Sequence, residues 1–281
     1  MYQIIDGKKI AAEIRADLKE RVIKYNNKNG RDIGLAVILV GDNQASQVYV
    51  RNKIKACEEI GIKSFSYHMP EETQESQLKE LILNLTVDNN IDGILVQLPL
   101  PKHIDEDAVL KLIPVEKDVD GFCAENVGNL SKNLPCLAPC TPNGVMKMLE
   151  YYNIPVKGKK AVVVGRSDIV GKPMAMLFLN ADATVTVCHS KTLNLKEECL
   201  SADILVSAVG KPCFITSDMV KDGAVVIDVG MNTNKDGKLC GDVDFENVKN
   251  KCSYITPVPG GVGPMTITML MYNTYISATR R

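Results

Sequence analysis

Lys160-Ala161-Val162-Val163-Val164-Gly165-Arg166-Ser167-Asp168-Ile169-Val170-Gly171-Lys172-Pro173 decides the fold class. A continuous apolar run enters a glycine turn, and a helix opens near Gly171. Apolar runs without alternation predict strands buried on both faces, the habit of parallel sheets. Backbone N–H groups at a helix start favour phosphate, so the same turn is a candidate nucleotide site. Its glycines are spaced G-x-x-x-x-x-G rather than G-x-G-x-x-G, and strand–glycine–helix turns also occur for steric reasons alone.

Working outward, strands are expected at Lys160–Val164, Thr184–His189, Ala202–Ala208 and Ala224–Val229, with helical stretches between them. A last apolar helix is expected from about Pro264 to Ser277. The first half alternates in the same way. Helical stripes cover Lys9–Asn29, Asn43–Glu59 and Glu71–Val87, and strands cover Gly34–Gly41, Ile62–Met69 and Gly93–Leu98. Strands alternating with helices imply parallel sheets of β-α-β units, an α/β fold. The chain has 281 residues, and Pro135–Pro142 (PCLAPCTP) reads as a junction. Two domains are therefore expected, residues 1–140 and 141–265. The helix over 266–281 should pack back on the first, because Ile267, Met269, Leu270 and Ile276 exceed what one exposed face carries.

Composition excludes several classes. Lys+Arg 33 against Asp+Glu 34 gives a net charge of -1, which is not the basic surface of a general nucleic-acid binder. Hydrophobic residues at 45% with so little net charge argue against disorder. No apolar run is long enough to span a membrane. Met1–Gly7 lacks a basic-then-apolar signal pattern, and nine scattered cysteines without C-x-x-C read as reduced thiols, so a cytoplasmic protein is expected. With three histidines a zinc cluster is hard to build, and no metal is expected.

Four further features carry chemistry. Tyr49 and Lys53 are i and i+4 on one helix and share a face. A ring beside an amine can stack a flat substrate and move its protons; a surface pair is the alternative. Gln97 ends a buried strand before Leu98-Pro99-Leu100-Pro101, where ligands bind in parallel sheets, or it caps the sheet. Lys117-Asp118-Val119-Asp120-Gly121-Phe122 holds two carboxylates in a tight turn, either for a ligand or as an Asx-turn. Pro257-Val258-Pro259-Gly260-Gly261-Val262-Gly263-Pro264 is stiff at its prolines and bare at its glycines, which suits close approach to a flat ligand. In the nucleotide half, the strand ending at His189 carries no carboxylate for a ribose hydroxyl. Arg166, Ser190 and Lys191 could meet a 2′-phosphate instead, or lie in a solvated loop.

Together these stretches, with Val40-Gly41-Asp42-Asn43-Gln44-Ala45-Ser46 and Val96-Gln97-Leu98, resemble the bifunctional methylenetetrahydrofolate dehydrogenase/methenyltetrahydrofolate cyclohydrolase family over nearly the whole chain. The resemblance implies a two-domain α/β subunit, one domain Rossmann-like, with folate in a cleft between them, and a homodimer. It implies NADP-dependent oxidation of 5,10-methylenetetrahydrofolate, then hydrolysis of the methenyl product to 10-formyltetrahydrofolate. Its catalytic lysine falls on Lys53, its stacking tyrosine on Tyr49, its lysine-tuning glutamine on Gln97 and its pterin-binding aspartate on Asp120. Val96, Leu98 and the Pro257, Pro259, Gly260, Gly261, Val262 and Gly263 loop would line the folate, with or without a polyglutamate tail. Gly165, Arg166, Ser167 and Ser190 would contact NADP, with a backbone contact near Met231. The rivals are a dehydrogenase without cyclohydrolase activity, a non-catalytic nucleotide-binding homologue, and an unrelated Rossmann dehydrogenase of a small acid.

Overall fold

The computed structural model describes residues 2–234 and 237–280; Met1 and Arg281, the outermost residues of the two expected ranges 1–140 and 266–281, lie outside it. In chain order the first elements are β1 (Gln3–Ile4), α1 (Gly7–Asn29), β2 (Gly34–Val40), α2 (Gln44–Ile60), β3 (Lys63–Met69), α3 (Glu75–Val87), β4 (Gly93–Val96), α4 (Glu106–Leu110), α5 (Ala124–Ser131) and α6 (Cys140–Tyr151). There follow β5 (Lys160–Val164), α7 (Gly171–Asn180), β6 (Thr184–Cys188), α8 (Leu195–Leu200), β7 (Ile204–Ser207), β8 (Val225–Asp228), β9 (Asn232–Thr233), β10 (Leu239–Cys240), α9 (Phe245–Val248), β11 (Tyr254–Ile255) and α10 (Val262–Thr279).

The chain divides into two compact units. One comprises Glu13–Cys140 with the residues from Ile267 on, and the other Thr141–Thr266 with the residues up to Ala12. The expected 1–140 domain therefore needs correction at its start. Gln3 donates its N–H to Ser253 O (2.8 Å) and Ile5 to Ile255 O (2.9 Å), so β1 completes the edge of the second unit's sheet. A two-residue strand is too short to show a period, and the partner that orders it lies some 250 residues further on.

The first unit holds a parallel sheet in the order β3-β2-β4. β2 is buried along its whole length because helices cover both faces of such a sheet. α3 packs Leu78, Ile82 and Leu85 against Ile38, Ile94 and Val96. α2 starts on Asn43, whose side chain accepts from Ser46 N, and stops at Gly61 in the left-handed region. α10 is apolar nearly all round, as a buried helix must be. Two of its polar side chains bond backbone carbonyls: Asn273 Nδ2 donates to Val119 O (2.8 Å) and Ala138 O (2.9 Å), and Ser277 Oγ donates to the carbonyls of Asp92 and Glu116.

The second unit is built on a six-stranded sheet in the order β1-β11-β8-β7-β5-β6, parallel throughout. Its register sets Val164 beside Cys188 and Ser207, and Ser207 beside Asp228. The carboxyl ends of β6, β5, β7 and β8 thus form one edge, where ligands of open parallel sheets bind. Among the described residues no helix is long and apolar enough to cross a membrane.

Candidate active site

In the first unit, Tyr49 and Lys53 lie one turn apart on α2. Lys53 is only 7% exposed, although it ends in an amine, and it lies on the side of α2 that carries the buried Val50 and Cys57. Its amine is not left bare: Nζ donates to Gln97 Oε1 at 3.0 Å. Gln97 is held in turn. Its backbone N–H donates to Ile38 O (2.8 Å), which extends the β2–β4 ladder by one residue, and its Nε2 donates to Leu98 O (2.7 Å). With the amide nitrogen committed, the carbonyl oxygen must face the lysine. The surface alternative for the Tyr49–Lys53 pair is therefore excluded for Lys53. Burial also raises the Tyr49 phenol above its ordinary value. The Val96 side chain belongs to the core of this unit.

The Lys117–Phe122 turn separates into structural and available groups. Lys117 Nζ donates to Leu85 O and Asp88 O, both at 2.9 Å, closing the carboxyl end of α3. Asp118 accepts from Cys123 N (2.8 Å) and Asn126 Nδ2 (2.9 Å). Gly121 has φ +75, and a Cβ there would meet the Leu137 carbonyl. These residues hold the turn. Asp120 is different: its side chain meets only the Cys140 thiol, at 3.9 Å, among the described residues. Burial pushes its carboxyl up to about 6; the charge of Lys53 pulls it down and that of Asp118 pushes it up. Lys53 is thus bonded to a fixed amide oxygen, and its charge acts on a carboxyl group that has little else to bind. Asn273 and Cys140, which fasten the backbone around Asp120, escape sequence reasoning. The one signal for Asn273 is an amide among the mostly apolar residues of α10.

In the second unit, Gly165 has φ +129, and a Cβ there would overlap the Ala208 carbonyl; a Cβ on Gly171 would overlap the carbonyl of Gly165. Both glycines are required by close backbone approach. Ser167 Oγ accepts from Val170 N (3.2 Å) and Gly171 N (3.3 Å) at the start of α7. Arg166 and Ser190 are exposed beyond the ends of the neighbouring strands β5 and β6. Met231 is 47% exposed after β8. All five expected cofactor residues therefore lie on the carboxyl edge of one sheet. In the Pro257–Gly263 loop of the same unit, Gly260 has φ +108 and its carbonyl accepts from Lys8 N (3.1 Å). α10 begins at Val262, two residues before the expected Pro264.

Residues 5–120 match the tetrahydrofolate dehydrogenase/cyclohydrolase catalytic-domain family, and residues 139–281 match the NAD(P)-binding domain of the same enzymes. The chain belongs to the tetrahydrofolate dehydrogenase/cyclohydrolase family. Within that family it is 59% identical over 279 residues to the bifunctional protein FolD of Moorella thermoacetica, covering 99% of both chains. It is 52% identical to the FolD methylenetetrahydrofolate dehydrogenase/cyclohydrolase crystal structure from Campylobacter jejuni, with a TM-score of 0.98 and all of both chains covered. A third family member, from Trypanosoma brucei and solved with NADP and an inhibitor, is 40% identical, with a TM-score of 0.95 over 99% of this chain and 98% of that one.

Proposed function

We infer that this chain is a bifunctional folate enzyme. It oxidises 5,10-methylenetetrahydrofolate to the methenyl form with NADP, and it hydrolyses that product to 10-formyltetrahydrofolate. The observation that carries the reading is the buried Lys53 amine, held at 3.0 Å by an oriented Gln97 and influenced by the Asp120 carboxylate. The near full-length identity to FolD proteins supports both activities.

The roles follow from the chemistry of each group. Tyr49 offers a ring face for the pterin, and the Asp120 carboxylate accepts from pterin N–H groups. Lys53 carries protons to and from the carbon that water attacks, and Gln97 aims the amine. A positioned acid–base group of this kind is worth about 10²- to 10⁴-fold in rate. The unit holding these four residues is the folate unit. Within that unit Val96 contributes through its backbone and Leu98 follows Gln97; the Pro257, Pro259, Gly260, Gly261, Val262 and Gly263 loop of the other unit is assigned to folate by its likeness to the family.

The second unit fits NADP. Its glycine turn leaves the room that a Cβ would take, Arg166 and Ser190 offer a guanidinium and a hydroxyl to a 2′-phosphate, and Gly165, Ser167 and the backbone near Met231 approach the rest of the dinucleotide. Bound NADP supplies the hydride acceptor. The protein's part in that step is alignment of the two reactants. A homodimer acting on tetrahydrofolate one-carbon derivatives in the cytoplasm is the setting we assign. The test is one spectrophotometric assay on the purified chain with methylenetetrahydrofolate, run with NADP and with NAD, followed by decay of methenyltetrahydrofolate. Reduction of NADP and faster methenyl decay are expected; a chain that does neither is not this enzyme.

A further inference from the structure

The second unit contains two buried carboxylates that none of the roles above uses. Asp228 ends β8, and Asp242 follows the β9–β10 hairpin; both are almost fully buried. Among the described residues no cationic side chain is paired with either. Asp228 accepts from the N–H groups of Gly230, Asp242 and Val243, each at 2.9 Å. Asp242 accepts from five donors in two separate stretches, residues 207–211 and Asn232. Oδ2 takes Val209 N (2.7 Å), Gly210 N (3.3 Å) and Ser207 Oγ (3.3 Å), while Oδ1 takes Lys211 N (3.0 Å) and Asn232 Nδ2 (2.9 Å).

Consecutive N–H groups that converge on one point make an anion site, and here the chain fills it with its own anion. The two loops joined in this way are those that leave β7 and β8 on the carboxyl edge of the sheet. The first also supports the glycine turn. Ala208 donates to Val164 O at 2.8 Å, and its carbonyl occupies the space that a side chain on Gly165 would need. The second carries Met231, adjacent to the tethered Asn232. Such short loops have many alternative backbone conformations, and fixing each residue costs roughly 1–2 kcal/mol of conformational entropy. One carboxylate with five donors offsets that cost for both loops at once.

We propose that Asp242 is a positioning residue for the dinucleotide: by tying residues 207–211 to Asn232 it fixes both the wall behind the Gly165 turn and the backbone at Met231. The proposal rests on the reading of this unit as the NADP-binding unit. It predicts that loosening the tie weakens cofactor binding and leaves folate chemistry largely intact.

The experiment is calorimetric titration of NADP into the full-length protein, with hydrolysis of methenyltetrahydrofolate, which consumes no dinucleotide, as the parallel readout. Asp242→Asn replaces one acceptor oxygen with a donor and is expected to weaken NADP about five- to twentyfold, the loss of one or two hydrogen bonds. Asn232→Ala removes only one donor from the tie and is expected to weaken NADP about two- to fivefold. Asp203→Asn is the structural comparison. Its carboxylate accepts from Lys160 N (3.0 Å) and Lys221 Nζ (2.6 Å) at the amino ends of the same strands. It should lower the melting temperature without moving NADP affinity, and hydrolysis should stay within about twofold for all three. NADP affinity unchanged in Asp242→Asn and Asn232→Ala, or equally weakened in Asp203→Asn, overturns the role of Asp242. If Asp242→Asn does not fold, Asn232→Ala alone decides. Wild-type protein that binds no NADP overturns the reading of the unit, and this proposal with it.

Discussion

Replacing Lys53 with Met removes one amine and keeps most of the aliphatic stem. The stem is buried, so packing changes little, and the main structural loss is the 3.0 Å bond to Gln97 Oε1. An acceptor left unmade in a partly buried site costs about 1–3 kcal/mol, and Gln97 keeps its tie to Leu98 O, so the variant should fold with a modestly lower melting temperature. Two chemical consequences follow. If the amine carries protons in the hydrolytic step, methenyltetrahydrofolate hydrolysis falls about 10²- to 10⁴-fold. NADP reduction depends more on alignment and should fall less, so the ratio of the two activities is the informative quantity. The second consequence is electrostatic. The positive charge of Lys53 holds the Asp120 carboxyl down against burial, so its loss moves that group above about 6 and toward neutral pH. A neutral Asp120 accepts less well from pterin N–H groups, and the KM for folate in Lys53→Met should rise at a higher pH than in the wild type when the pH is lowered. Both activities are measured on one preparation from pH 5.5 to 8.5, as methenyl decay at saturating folate and as NADPH formation. Hydrolysis at the wild-type rate would refute the assignment of Lys53, and an unshifted pH profile for KM would refute its coupling to Asp120.

Asp120→Asn should impair both activities, since each depends on holding the pterin, yet make the protein more stable. The folded carboxyl lies near 6 against an ordinary 3.8, so its ionisation opposes folding; that penalty is absent below about pH 4, grows between 4 and 6, and is complete above 6, where it is of order 3 kcal/mol. Thermal melts should therefore show Asp120→Asn above the wild type at pH 8 and level with it near pH 4; the reverse order would mean that the carboxylate is stabilised in the fold. Arg166→Ala should weaken NADP by about 1.5–3 kcal/mol and NAD by much less, as read by calorimetry; equal losses would assign Arg166 to the pyrophosphate or to the fold.

The sequence alone determines the alternation of strands and helices, because burial on both faces leaves continuous apolar runs and burial on one face leaves a helical stripe. It also determines that Gly165 and Gly171 bracket a turn, since only the absence of a Cβ permits that approach. The family is legible too, in motifs that are each short but follow one another in a single order. Local pattern does not say which carboxylate of Lys117–Gly121 is available, since Asp118 and Asp120 are two residues apart and chemically identical; the family resemblance alone points to Asp120. The fold spends Asp118 on Cys123 and Asn126 and leaves Asp120 within the influence of the Lys53 charge. The same limit hides β1, which is ordered by Ser253 and Ile255, and Asp242, whose five donors come from residues 207–211 and 232. Local pattern records what a residue needs from its neighbours in sequence. Hydrogen bonds that cross tens or hundreds of residues are decided when the sheet closes and its edges find partners.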